Sequence, residues 1–177
     1  MAMKSVVRAQ AALRRIGWGA QEVGLARVVV GLFRLAFIAA SRTSKAEVRT
    51  KSSELRIGFK CPTQLMPLLV VFQELIEPEL DAVRRLLGPG KVAVDIGASI
   101  GTWTLWAAKT GAIVHACEPD SENLAMLDEN VRSNGLVSNV VAYGFAIGNK
   151  DGWSLGPAQA GGYGINYKLA SSTPQAQ

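Results

Sequence analysis

Residues 91–120 read KVAVDIGASIGTWTLWAAKTGAIVHACEPD, and this stretch decides the fold. Val92-Ala93-Val94-Asp95-Ile96 is a short apolar run with β-branched residues, the mark of a buried strand. A glycine-rich turn, Gly97 to Gly101, follows it. Residues 102–110 then carry a helical pattern that stops at Gly111, and 112–117 are a second apolar strand. Asp120 or Ser121 suits the N-cap of a helix over 121–134, and Asn134-Gly135 suits its stop. Residues 139–147 complete a third strand. Strand, helix, strand, helix, strand at these lengths predicts an α/β domain with a parallel sheet and right-handed crossovers.

Upstream the pattern is different. Residues 3–16 read as a basic helix broken at Gly17-Trp18-Gly19. An apolar helix follows over 21–40. Residues 41–53, rich in Ser, Thr, Lys and Arg, read as a linker. Leu55, Ile57 and Phe59 alternate with Glu54, Arg56, Gly58 and Lys60, which is the period of a half-buried strand. Residues 68–87 are helical in pattern, with Pro78 starting a second helix that ends at Gly88-Pro89-Gly90. The expected organisation is a basic, partly apolar helical arm over 1–50, a cofactor-binding domain over 51–155, and a loosely ordered tail over 156–177.

Charge divides along the same line. The 177 residues carry a net +5, yet residues 1–60 hold twelve Lys/Arg against three Asp/Glu, a net +9. Residues 61–177 hold seven against eleven, a net −4. A basic arm on a mildly acidic domain suits an anionic surface, lipid or nucleic acid, and its plain alternative is a solvated leader. Residues 23–40 approach membrane-spanning length, but Arg27 and Arg34 interrupt them. Each buried Arg costs about 2.5–3.5 kcal/mol, while each large apolar residue returns only about 0.3–0.6, so spanning is not favoured. Gly24, Arg27, Gly31 and Arg34 fall on one helix face. Such a helix can lie in a membrane interface, pack on the domain, or pair with another helix. Arg34 also splits the apolar region that a secretory signal would need. The expected location is cytoplasmic, peripheral at a membrane through residues 1–40. Two cysteines, Cys61 and Cys117, make no disulfide framework, and His115 is the only histidine, so no metal site is expected.

The chemistry sits in the turn. Gly97 permits backbone geometry closed to other residues and lets a ligand approach. Gly101 opens the next helix and keeps it near the strand. Glu118 ends the second strand 17 residues beyond Gly101, where an acidic side chain accepts hydrogen bonds from ribose hydroxyls. The dinucleotide pattern G-x-G-x-x-G is not met, because the middle glycine is absent. Asp95 adds negative charge, unfavourable beside a diphosphate and tolerable beside a cationic sulfonium. S-adenosylmethionine therefore fits better than NAD. A nicotinamide-binding oxidoreductase and a tight turn that binds nothing are the alternatives.

Three runs, VAVDIGASIGTWTLWAAKTGA, VHACEPDSENLAMLDENVRSNGL and NVVAYGFAIGNKDG, resemble the FkbM family of S-adenosylmethionine-dependent methyltransferases. The resemblance covers residues 52–155. It implies a Rossmann-like, three-layer αβα methyltransferase sheet. It implies that Asp95, Gly97, Ala98 and Gly101 cradle the methionine part, with Ser99 and Thr102 completing the loop. It further implies that Glu118 holds the ribose, with Pro119, Asp120 and Ala146 near the adenine or its ribose. The implied activity is O-methylation of a hydroxyl on a sugar or other small molecule.

Two departures stand out. Ser99 occupies a place where the family usually has Asn. The family also continues into further strands bearing Lys-Ile-Asp and Glu-Gly, and this sequence has neither. The implied sheet is thus incomplete at its C-terminal side, leaving the first strand as an apolar edge open to a partner chain. A cofactor-binding module that needs such a partner is the second functional reading. No catalytic base is assigned. His115 reads as a packed or surface residue, and Trp103 and Trp106 read as helix-packing residues. Asp151, Tyr163 and Tyr167 are tail residues that could border an acceptor pocket. The sequence lacks an Asn-Pro-Pro-aromatic tetrad and a Pro-Cys nucleophile, which argues against nucleic-acid methylation.

Overall fold

A computed structural model describes residues 16–17, 19–21, 23–41, 43–75, 79–148, 152–155 and 166–170. The chain divides into two compact units, Met1–Val83 and Arg84–Gln177. The reading of 3–16 as a helix lies, except for Ile16, outside the described residues.

The first unit is built on a helix, a hairpin and a second helix. Helix α1 spans Leu25–Ala40 and is capped by Gly24 at φ +82°. The chain is helical at Gly17 and Gly19, so the break expected there falls instead at Gly24. Strands β1 (Lys45–Arg49) and β2 (Arg56–Lys60) pair antiparallel, Val48 opposite Ile57. β1 occupies the segment read as a linker. Its three charged residues, Lys45, Glu47 and Arg49, point outward and mask the alternation, while Val48 is buried. Leu55, Ile57 and Phe59 are fully buried, as their period requires.

Helix α2 is short, Pro67–Phe72, with proline in its first turn. It ends at Gln73, which adopts a left-handed conformation at φ +51°. The Gln73 carbonyl accepts from Lys51 N–H, and the Glu74 carboxylate accepts from Ser52 N–H and Oγ. These bonds tie the hairpin turn to the end of α2. Helix α3 spans Glu79–Arg84, and Pro78, read as a helix start, lies outside the described residues.

α1 packs on α2. Val71 and Phe72 of α2 form a buried cluster joined by Val23, Val28, Leu35 and Leu68. Gly31 makes the approach possible, because a Cβ there would lie 2.0 Å from the Val71 carbonyl oxygen. Of the helix face drawn through Gly24, Arg27, Gly31 and Arg34, only Gly31 is buried. No helix among the described residues is long and apolar enough to cross a membrane.

The second unit holds the α/β sheet. Strands β3 (Val92–Ile96), β4 (Ile113–Cys117) and β5 (Val140–Tyr143) run parallel in the order β3-β4-β5. Helix α4 (Thr102–Lys109) connects β3 to β4, and α5 (Ser121–Ser133) connects β4 to β5. This is one half of a Rossmann-like sheet. Register fixes its two faces. Ala93, Asp95, Val114 and Ala116 share one face, where Val114 and Ala116 are fully buried. Val92, Val94 and Ile96 share the other, and it stays open along β3, with Val92 65% and Ile96 64% exposed.

Beyond β5 the chain bends at Gly144-Phe145 and forms β6 (Ala146–Ile147). β6 pairs with β8 (Asn166–Ala170), and β8 pairs antiparallel with β7 (Gly152–Leu155). β8 thus lies within the 156–177 stretch that reads as a loosely ordered tail.

Replacing Gly31 tests the packing of the first unit. Gly31→Ala should lower unfolding free energy by roughly 1–3 kcal/mol, the usual cost of forcing atoms into a closed contact. Urea denaturation of the full chain measures it.

Candidate functional site

The loop from Gly97 to Gly101 leaves the tip of β3 and is held from three directions. Gly97 and Gly101 take φ values of +79° and +88°, and Ser99, a non-glycine, takes +51°. Gly97 and Ala98 N–H both donate to the Cys117 carbonyl, at 2.9 and 3.1 Å. The loop is thereby sewn to the tip of β4. A side chain on Gly97 would meet nothing within 4 Å, so its bend faces open space. Gly101 has a second constraint. A Cβ there would lie 3.0 Å from Leu127 of α5, so the close neighbour is the second helix rather than the strand.

Glu118 turns toward this loop. It is 6% exposed and is the one charged residue buried among the described residues. Its Oε2 accepts from Ser99 N–H at 2.7 Å, and its Oε1 accepts from Asp120 N–H at 2.9 Å. A carboxylate offers about four acceptor positions. Two are engaged by backbone, which fixes the rotamer and leaves others for a ligand's hydroxyls. Asp120 caps α5 by accepting from Asn123 N–H at 2.9 Å. Pro119, between them, is half-buried. Glu118, Asp120 and the loop therefore form one hydrogen-bonded assembly.

Asp95 is the second carboxylate. It lies on the helix-covered face, and Thr104 Oγ1 of α4 donates to its Oδ2 at 2.5 Å. Burial pushes its carboxyl above the ordinary range, Thr104 opposes this through side chain and backbone, and Glu118 adds a smaller upward push. Two neighbouring acidic groups make this corner electronegative, which suits a cation. Burial, reinforced by Asp95, also raises the Cys117 thiol, which is free and packed as a small apolar group.

The remaining expected residues fall as follows. Ala98 is buried and Ser99 exposed within the loop, and Thr102 begins α4. Ala146 lies in β6, opposite Leu169 of β8. His115 stacks on Tyr143 on the open face of the sheet, with Nδ1 2.8 Å from the Tyr143 hydroxyl. Asp95 shares the opposite face, so His115 does not serve that corner. Trp103 and Trp106 pair on α4 with ring centroids 6.4 Å apart. Tyr167 is in β8, while Asp151 and Tyr163 lie outside the described residues. No group of three His, Cys, Asp or Glu capable of holding a metal occurs among the described residues.

Two contributors escape sequence reasoning. Asn130 of α5 is 1% exposed and donates through Nδ2 to the Ile100 carbonyl at 2.9 Å. It holds the loop from behind. Thr104 is the other. A buried polar residue on an apolar helix face is the available signal for both, and neither partner can be named from one sequence. In the first unit an apolar cavity of about 400 Å³ is lined by Ile38, Ala39, Thr43, Cys61, Pro62 and Leu65. It contains no acid or base suited to this chemistry.

No protein-family profile matches the chain, and no curated protein does. Solved structures do. Trm5b from Pyrococcus abyssi is similar at 24% identity over 57% of this chain and 28% of its own, with a TM-score of 0.45. TYW2 of P. horikoshii, in complex with MeSAdo, is similar at 19% identity over 58% and 36%, with a TM-score of 0.45. Methyltransferase FkbM from Methylobacillus flagellatus is similar at 28% identity over 36% and 19%, with a TM-score of 0.32. The chain thus spans between 19% and 36% of these proteins' lengths.

Asp95 links the site to stability. An acid whose folded pKa is raised contributes stability below its unfolded pKa, near 3.9, and loses it as pH rises through the folded value. Asp95→Asn removes that loss and retains an oxygen for Thr104. Its melting temperature should exceed that of the native chain at pH 7, with the gap closing as pH falls below the ordinary carboxylate range. Thermal scans across pH check this.

Proposed function

We propose that the second unit binds S-adenosylmethionine and that the protein is a methyltransferase acting on a hydroxyl of a small molecule or sugar. The observation that carries the proposal is the Glu118 carboxylate, buried, aimed at the glycine loop and locked by two backbone N–H donors. A carboxylate so fixed is a receptor for the two hydroxyls of a ribose. Asp95 adds the negative charge that a sulfonium tolerates and a diphosphate does not. The bend at Gly97, open to solvent, provides room for an amino-acid tail beside backbone. The acceptor class rests on the sequence resemblance alone.

S-adenosylmethionine, when bound, supplies a methyl group already activated on sulfur. The protein's part is then positioning. Glu118 orients the ribose, and the Gly97–Gly101 loop fixes the amino-acid tail. Asn130 and Thr104 keep the loop and Asp95 in place. An acceptor hydroxyl also needs a base near its proton, and no described residue has been given that role.

The open face of β3 favours a second reading, a cofactor-binding module completed by another chain or by further strands. Val92, Val94 and Ile96 form an apolar surface of the sort that a neighbouring element covers. In that case the cofactor binds and methyl transfer requires the partner.

Isothermal titration with S-adenosylhomocysteine and, separately, NADH tests the cofactor. The expected result is binding of the first and none of the second. Glu118→Ala should weaken S-adenosylhomocysteine at least tenfold, equivalent to about 1.4 kcal/mol or more. Binding of NADH alone overturns the proposal.

A further inference from the structure

Helix α1 presents two unlike sides. One side is spent within the first unit, where Val28, Gly31 and Leu35 meet Val71 and Phe72 of α2. The other carries Leu25, Val29, Leu32, Phe33 and Phe37, at i, i+4, i+7, i+8 and i+12, hence along one stripe. Leu25 is 75% exposed, Phe33 71% and Phe37 73%. Water-facing phenylalanines and leucines in a row are an interaction surface. Arg27 and Arg34, seven residues apart, stand two turns from each other on the shoulder between the packed side and this stripe.

We infer that this face of α1 docks in the plane of an anionic lipid bilayer. Charge identifies the partner. The stripe belongs to a segment that carries net +9 over its first 60 residues, and the whole first unit, Met1–Val83, keeps a net +5 with twelve Lys/Arg against seven Asp/Glu, Arg49 and Arg56 being paired with Glu54 and Glu47. Such charge opposes self-association and favours a negatively charged surface. Geometry identifies the mode. At sixteen residues α1 is about 24 Å long, short of the roughly 30 Å hydrocarbon core, and one side is already packed against protein. The helix therefore lies along the interface, its aromatic and aliphatic stripe in the acyl boundary and its arginines reaching to head groups.

Co-sedimentation of the full chain with vesicles tests this. The expected result is pelleting with phosphatidylcholine–phosphatidylglycerol vesicles, weaker pelleting with phosphatidylcholine alone, and release by high salt. Phe33→Gln/Phe37→Gln should cut the vesicle-bound fraction at least tenfold, with the helical circular dichroism and melting temperature of the native chain. Two results overturn the inference. One is equal pelleting with and without vesicles, or by the double variant. The other is a stable dimer, detected by light scattering without lipid and abolished by the same variant, which assigns the face to a second copy. These readouts are independent of whether the second unit binds S-adenosylhomocysteine.

Discussion

The hydrogen bond from Ser99 N–H to the Glu118 carboxylate is the contact on which the second unit's site depends. It joins residues nineteen apart in sequence and fixes the distance between two strand tips. A buried carboxylate without donors is costly, by several kcal/mol. Here Ser99 and Asp120 supply them from loop and helix cap, so the charge is tolerated where it is needed. The same two bonds define the left-handed turn at Ser99 and the start of α5. Local strain, a buried charge and a helix cap are thus one device. Each part justifies the others.

Around that device, the packing is arranged for closeness rather than bulk. Gly101 lets α4 start against Leu127 of α5, and Asn130 reaches from the same helix to the Ile100 carbonyl. The loop is therefore braced by a helix that follows it in the chain. Asp95 is braced by Thr104 on the helix that precedes β4. In the first unit Gly31 has a comparable role, admitting the Val71 backbone. In both units a glycine decides how near two elements can come. In neither can its partner be inferred from the glycine itself.

The strands at 92–96 and 113–117 and the helix at 121–133 are legible because their signals are local. Alternation, β-branching, the Asp120 cap and Gly135 at φ +68° all lie within a few residues of the features they set. β1 is less legible, since Lys45, Glu47 and Arg49 share its outward face and resemble linker composition. Asp95, Gly97, Gly101 and Glu118 are brought together as their spacing suggests. Asn130 is not legible as a loop brace, because its contact spans thirty residues. The paired residues Thr104 and Asp95 depend on how α4 rotates over the sheet, which no single-sequence pattern specifies. Ala146 lies in a small strand whose pairing with β8 depends on residues far along the chain.

Cys117 offers a consequence of a different kind. Its carbonyl receives both Gly97 and Ala98 N–H, and its sulfur is buried, so that burial, with a contribution from the Asp95 charge, pushes the thiol up. A thiol in that state reacts slowly with alkylating reagents. Any excursion that peels the loop away from the tip of β4 must disturb the residue that carries this sulfur. Labelling at Cys117 is therefore expected to quicken when the glycine turn opens and to slow when a ligand clamps it. Cys61, half-buried in the other unit, keeps its own time in the same reaction.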